Sequence, residues 1–312
     1  MVADKNLDND KKPLKSLSNS EFVFSSLLAG AIAGACAKTS IAPLDRTKIS
    51  FQISTNEYSA KKAWRFLQDT YRKEGFLNLW RGNSATMARI VPYAAIQFSA
   101  HEQWKKLLKV DSVDSKNESK IKRFLAGSLA GVTSQTLTYP LDLARARMAV
   151  TSKTQYQNLK HIFTHIKQTE GWLAFYKGYT PTILGIIPYA GTSFCTYGTL
   201  KKFYRDKMDS NTPAVVNLIF GAISGIVGQS TSYPLDIVRR RMQTSVITGY
   251  ECSSIIGTFQ KIYKEEGLRK GFFKGVSMNW IKGPIAVGIS FATYEHVKET
   301  LSVLIMKTKT VI

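Results

Sequence analysis

Three short phrases combine a proline, an acid and a base at a fixed spacing. Pro43-Leu44-Asp45-Arg46-Thr47-Lys48 returns as Pro140-Leu141-Asp142-Leu143-Ala144-Arg145 and again as Pro234-Leu235-Asp236-Ile237-Val238-Arg239. Acid and base stand at i and i+3, on one face of a helix. That spacing permits a local pair within one helix, worth a few tenths of a kcal/mol. It also permits an exchange of partners among the three copies that closes a ring. The recurrence favours the ring, in which Asp45, Asp142 and Asp236 meet Arg145, Arg239 and Lys48. In a low dielectric such pairs are sensitive to geometry, and removing one partner costs about 3–5 kcal/mol. A ring of this kind is a gate.

A second chemistry lies in the six apolar runs, where, leaving out the motifs themselves, Lys38, Arg89 and Lys282 are the charged residues. A charge in such a segment is costly and usually faces a water-filled cavity. Arg89 and Lys282 each sit just before a proline, Pro92 and Pro284. All three being cations, the cavity is expected to bind an anion. His161 and His165 are four apart but Ile162 follows the first, so they lack the pattern of a zinc-protease helix and read as the polar face of a helix. Cys36, Cys195 and Cys252 show no C-x-x-C spacing, which points to reduced structural thiols. With no nucleophile–base pair, metal cluster or glycine-rich phosphate loop in view, the expectation is transport without a catalytic residue, metal or cofactor.

The elements that position these residues repeat with them. Apolar runs cover 22–42, 124–141 and 214–235 before the motifs, and 83–100, 178–200 and 275–294 after them. None carries a polar stripe of helical period, so each is expected to face lipid rather than water. A run needs about 20 residues to span a bilayer. Gly30 and Gly34, Gly127 and Gly131, and Gly221 and Gly225 repeat a spacing that lets helices approach closely in lipid. Between the runs lie charged, amphipathic stretches at 58–74, 156–170 and 250–266. Each ends in Glu-Gly and leads to an aromatic, a base and a glycine: Trp80-Arg81-Gly82, Tyr176-Lys177-Gly178 and Phe273-Lys274-Gly275.

This divides the 312 residues into a mobile tail at 1–21, repeats at 22–115, 116–210 and 211–303, and a C-terminal tail at 304–312. The tail mixes acids with lysines and has no arginine, so a cleavable presequence is not expected. A net charge of +21 calls for an anionic partner. Nucleic acid is disfavoured because the basic residues lie mostly between spans. The reading is an all-α membrane protein of six transmembrane helices.

The triple motif, followed each time by Glu-Gly and by aromatic-base-Gly, is similar to the mitochondrial carrier family over residues 25–298. The resemblance implies three pseudo-threefold repeats with short matrix helices, a multi-pass protein of the mitochondrial inner membrane. It implies alternating access between two salt-bridge networks. On the matrix side these would be Asp45–Arg145, Asp142–Arg239 and Asp236–Lys48, braced by Gln52 and Gln243, with Ala149 where a third glutamine would stand. On the cytoplasmic side Glu102 would pair with Lys201 and Glu295 with Lys105. Gly198 replaces the third acid, opposite Lys298, so this side is expected to open more easily.

The family's substrate contacts fall on Arg89, Gly185-Ile186 and Lys282, with Lys38 and Arg240 matching further cavity cations. Gly185-Ile186 resembles the surface that accepts an adenine. The stretches 42–48, 79–87, 91–101 and 277–290 look like the branch of the family that carries coenzyme A. That branch implies import of coenzyme A in exchange for adenine nucleotides or adenosine 3′,5′-diphosphate. Another adenine nucleotide carrier is the alternative. Gln243-Thr244 departs from the ADP/ATP carrier signature, and a tail of about twenty residues is too short for the EF-hands of ATP-Mg/phosphate carriers. A membrane-embedded enzyme or a scaffold is the least favoured class. A lipid bilayer with cardiolipin and a single working chain complete the expectation.

Overall fold

The short charged stretches fold first in the logic of the chain, because each carries its own start and stop. Ser59, Asn158 and Ser254 accept hydrogen bonds from the backbone nitrogens of Lys62, His161 and Gly257, capping three helices. The glycine of each Glu-Gly takes a positive φ and ends them. The computed structural model describes residues 19–55, 57–110, 116–208, 212–250 and 254–311, and its regular structure there is helical. Residues 1–18 of the expected N-terminal tail and Cys252 lie outside the described residues.

The same order of elements occurs three times. The first repeat holds α1 (Asn19–Ile53), α2 (Ala60–Glu74) and α3 (Asn83–Leu107). The second holds α4 (Lys116–Val150), α5 (Leu159–Thr169) and α6 (Tyr179–Met208). The third holds α7 (Ala214–Thr248), α8 (Ile255–Glu266), the single turn α9 (Leu268–Phe272) and α10 (Val276–Val311). Short 3₁₀ turns, Phe76–Trp80 and Trp172–Tyr176, take the place of α9 in the first two. The residues assigned to the C-terminal tail continue α10 as far as Val311.

The shortest of the six long helices, α3, has 25 residues and measures about 38 Å at ~1.5 Å per residue, enough for a hydrocarbon core of about 30 Å. Two of them, over Ser25–Ile53 and Val215–Thr248, are apolar enough to cross a membrane by length and composition alone. The others add charged residues at their ends and at the sites described below. Large apolar side chains on these helices, among them Phe98, Phe124, Ile187 and Leu218, remain exposed, as a lipid-facing surface requires. Small residues are among the buried ones: Ala29, Ala33 and Ala37 on α1, and Ala126 and Ala130 on α4, repeat at a spacing of four. Pro43, Pro92, Pro140, Pro188, Pro234 and Pro284 all lie inside helices that continue past them.

By its contacts the chain forms two compact units: Ala42–Gly283, and the residues up to Ile41 with those from Pro284 onward. In the first, Ile162 and Ile166 of α5 are buried against Leu143, Ala144 and Met148 of α4, beside Phe175. Ile262 and Phe272 pack in the same way on Tyr233, Ile237 and Val238 of α7. Burying each of these isoleucines stabilises the contact by roughly 1.5–3 kcal/mol. The short helices are thereby fixed to the turns that carry the acid–base motifs.

Candidate functional site

The three motif acids are joined to bases of other repeats, and the ring closes within the unit 42–283. Arg145 donates to Asp45, Arg239 donates to Asp142, and Lys48 Nζ donates to Asp236 at 2.8 Å. No pair stays on its own helix. The Asp142 side chain is 2% exposed and that of Asp236 is 23% exposed, so the three positions are unequal despite their common sequence.

Glutamines brace two of the three pairs. Gln243 Nε2 donates to Asp142 at 2.9 Å and to the Tyr139 hydroxyl at 2.9 Å, and that hydroxyl donates to the Lys177 carbonyl at 3.0 Å. Gln52 Nε2 donates to Asp236 at 3.0 Å, and the Tyr233 hydroxyl donates to the Lys274 carbonyl at 2.6 Å. Lys48 lies over the Tyr233 ring, 4.9 Å from its centroid. At the Asp45–Arg145 pair the corresponding positions are Ala149 and Ala42. Brace and tyrosine are missing together there. The glutamines were expected from the family resemblance and the tyrosines were not, although Tyr139 and Tyr233 each precede the motif proline where Ala42 stands in the first copy.

The cations expected to hold a substrate reach the same acids. Arg89 of α3 donates through Nε to Thr138 Oγ1 at 3.1 Å, through one terminal nitrogen to Asp142 at 3.3 Å, and through the other to Gln135 Oε1 at 2.6 Å. Its guanidinium also lies over the Tyr93 ring. Lys282 Nζ donates to Asp45 at 2.6 Å. Arg240 donates to Gln243 Oε1 at 2.8 Å and stands 3.7 Å from Asp142. Around three acids the structure thus gathers Lys48, Arg89, Arg145, Arg239, Arg240 and Lys282. Gly185 and Ile186 of α6 are half-buried, and a Cβ on Gly185 would meet Leu235 of the third motif at an ordinary 3.7 Å. Lys38 lies on α1 in the other unit and is exposed.

Outside the ring stand three clamps that the sequence reading did not anticipate. Arg147 donates to both oxygens of Glu170 and through Nε to the Gln243 carbonyl at 3.0 Å. Arg241 donates to Glu266 at 2.5 Å and through Nε to the Gln52 carbonyl at 3.2 Å. Arg46 donates to Glu74 at 2.8 Å and through Nε to the Ala149 carbonyl at 3.0 Å. Each arginine ties the Glu-Gly glutamate of its own repeat to the brace position of another. Arg147 and Arg241 share a register, where the first repeat has Ser50; Arg46 comes from one helical turn earlier and reaches the same partners.

Lys177 and Lys274 add a second cation to Glu170 and Glu266. Arg81 turns instead to the carbonyls of Thr151, Ser152 and Tyr156. Burial raises the Glu170 carboxyl, but the hydrogen bonds and charges of Arg147 and Lys177 outweigh it and hold the group below its ordinary value. Burial lowers the Lys274 ammonium against the opposing pull of Glu266. The glycine after each base lets these turns approach the ring. Gly178 has φ +80, and a Cβ there would lie 2.9 Å from the Arg239 carbonyl.

The residues assigned to the opposite gate are arranged otherwise. Glu102, expected to meet Lys201, accepts from Lys105 of its own helix at 3.3 Å, a local i, i+3 contact with Glu102 largely exposed. Lys201 stands over Tyr197, 5.9 Å from the ring centroid. On α10, Lys298 lies over Tyr294 at 5.4 Å, and Glu295 is one residue further along the same helix.

Threefold-repeated long helices, a closed ring of exchanged ion pairs and supernumerary cations beside it define a helical membrane protein built around that ring. Residues 19–112, 116–208 and 210–303 each match the family described as mitochondrial carrier protein. The chain belongs to the mitochondrial carrier family. It is 57% identical over 279 residues to the mitochondrial coenzyme A transporter SLC25A42 of Xenopus tropicalis, covering 89% of this chain and 85% of that protein. It is 57% identical over 275 residues to the human protein of the same name, covering 88% and 86%. With human solute carrier family 25 member 16 it shares 41% over 292 residues, covering 88% and 87%.

Proposed function

We propose that this protein is a multi-pass carrier of the mitochondrial inner membrane that exchanges coenzyme A for adenine nucleotides or adenosine 3′,5′-diphosphate. The observation that carries the reading is the surplus of cations at the ring, six for three acids. A partly buried surplus of positive charge calls for a multiply charged anion. Coenzyme A brings a phosphomonoester of about −1.5 to −2 charge together with a pyrophosphate. Identity to named coenzyme A transporters across most of the chain supports the choice of solute. Half-buried Gly185 and Ile186 offer a flat apolar surface to the adenine.

The carrier acts by binding and release, with no covalent step. Arg89, Arg240 and Lys282 turn from Asp142 and Asp45 toward the phosphates, which lowers the positive potential that steadies the ring. The ring then parts, while Glu102, Lys105, Lys201, Glu295 and Lys298 gather on the opposite side. The working unit is a single chain in a cardiolipin-containing bilayer.

Counter-exchange in proteoliposomes tests this. Vesicles loaded with coenzyme A, ADP or ATP are expected to take up labelled coenzyme A. Exchange of ADP and ATP that excludes coenzyme A would move the assignment to another nucleotide carrier. No exchange of any of them would dismiss both. Arg89→Ala and Lys282→Ala are each expected to abolish uptake in protein that still folds.

A further inference from the structure

Gln135 of α4 is a residue that neither the motif nor the family resemblance singled out. It shares one helix face with Thr138 and Asp142, at i, i+3 and i+7, and all three meet Arg89. Gln135 Oε1 accepts from Arg89 at 2.6 Å, while its Nε2 is buried without a hydrogen-bond partner among the described residues. The side chain is 9% exposed, and burying an unpaired amide donor there is unfavourable. Thr138, one turn on, is engaged elsewhere: its hydroxyl donates to the Ser134 carbonyl and accepts from Arg89. The Arg89 side chain that the glutamine holds remains 20% exposed.

We propose that Gln135 is a substrate-contacting residue: its amide nitrogen and the Arg89 guanidinium together form a two-donor clamp for one phosphate group of the transported anion. This rests on the reading of the protein as a carrier of coenzyme A or adenine nucleotides. A phosphate oxygen supplies the acceptor that Nε2 lacks. The carboxamide oxygen keeps Arg89 turned toward the same point. A neutral amide adds a directed donor without adding further charge to a cation-rich ring.

The test is exchange kinetics of the full chain in proteoliposomes, with thermal unfolding of the purified protein in the presence and absence of coenzyme A. Gln135→Met keeps the length and volume of the side chain but removes donor and acceptor. The apparent KM for coenzyme A is expected to rise about tenfold or more, the size of a lost hydrogen bond to a charged group, with the maximal rate changed less than about threefold. Thermal stabilisation by coenzyme A should fall in step. In an Arg89→Lys background, Gln135→Met is expected to raise KM several-fold again. An unchanged KM, or no added effect in that background, would overturn the contact, the latter because Gln135 would then act only through Arg89.

Should Gln135→Met fail to fold, Gln135→Asn, which retains the amide one methylene short, is expected to show a smaller KM rise of the same kind; no rise would count against the clamp. If the wild type exchanges ADP but not coenzyme A, the assignment of solute falls, and the same comparison run with ADP decides the clamp. If it exchanges neither, both fall.

Discussion

Asp142 and Asp236 are the same residue of the same motif, yet they occupy different charge fields. Asp142 is almost wholly buried and is reached by Arg239 and Gln243, with Arg89 and Arg240 close by. Asp236 is more open and meets Lys48 and Gln52. At an effective dielectric near 20, one charge at 4 Å is worth about 4 kcal/mol, so two extra guanidinium groups dominate the potential at Asp142. The ring repeats where it must close. It differs in the number of cations gathered at each acid. The Asp45 position lies between the two, with no glutamine or tyrosine brace but with Lys282 in contact.

The largest expected effect follows from removing the acid that faces most cations. Asp142→Asn leaves Arg239, Arg89 and Arg240 without their carboxylate, a loss of about 3–5 kcal/mol for a broken buried pair. It is expected to end exchange and to lower the thermal midpoint of the purified protein by several degrees. Asp236→Asn removes the carboxylate that Lys48 donates to, while Arg239 and Arg240 keep Asp142 and the neighbouring Gln52 can turn its oxygen toward the lysine, so it should cost less than half as much. Equal losses at the two positions would break the comparison.

A smaller effect concerns the backbone that lets the turns approach the ring. Gly178 and Gly275 both have positive φ, where any side chain is strained by about 1–2 kcal/mol. A Cβ at Gly178 also meets the Arg239 carbonyl at 2.9 Å, whereas at Gly275 the nearest atom is the Tyr233 hydroxyl at 3.4 Å. Gly178→Ala should therefore lower the unfolding midpoint more than Gly275→Ala. The reverse order would place the tighter approach at the Asp236 side.

How much of this was legible in the sequence depends on whether a contact repeats in register. The ring pairs and the short helices were readable because acid, base and Glu-Gly recur at fixed offsets. Arg89 and Lys282 stood out as charges in apolar runs, but their contact with the gate acids did not, since helix spacing says nothing of which helix lies opposite. The outer clamps escaped because Arg46 serves in the first repeat from a position one turn before Ser50, so the threefold signal is broken at that point. The paired absence of Ala42's tyrosine and Ala149's glutamine was visible only once Tyr139 and Gln243 were seen to touch. Glu102, expected to meet Lys201, contacts Lys105 in this conformation, the base that i, i+3 spacing brings within reach on its own helix.

The braces sharpen the comparison further. Gln243 holds Asp142, Tyr139 and Arg240 at once, whereas Gln52 holds Asp236. Gln243→Met is expected to weaken the closed ring by about 1.5–3 kcal/mol, the range for a hydrogen bond to a charged group, and Gln52→Met by the lower end of that range. Both should lower the thermal midpoint in the absence of solute. Building the missing brace with Ala42→Tyr and Ala149→Gln together should slow exchange by steadying the Asp45–Arg145 pair, while neither change alone has that effect. Exchange that is slowed as much by one substitution as by both would show that the two positions do not touch.

The finest contrast lies between the clamp arginine and the clamp lysine. Arg147 is fully buried against Glu170, while Lys177, on the same carboxylate at 2.9 Å, is 39% exposed. Lys177→Met should therefore cost no more than about 1 kcal/mol at neutral pH, as exposed pairs do. Its signature is in acid. The Glu170 carboxyl is held below its unfolded value of about 4.3, so the stability it contributes is complete above that value and is lost as pH falls through the lower folded one. Lys177 is one of the charges holding the carboxyl down. Without it the folded value moves up toward the unfolded one, and the contribution becomes smaller and disappears at a higher pH. Thermal midpoints of Lys177→Met and wild type measured from pH 7 down to pH 3 should differ most near neutrality and converge in acid. A difference that stays constant, or widens as pH falls, would mean that Arg147 alone sets the charge state of this clamp.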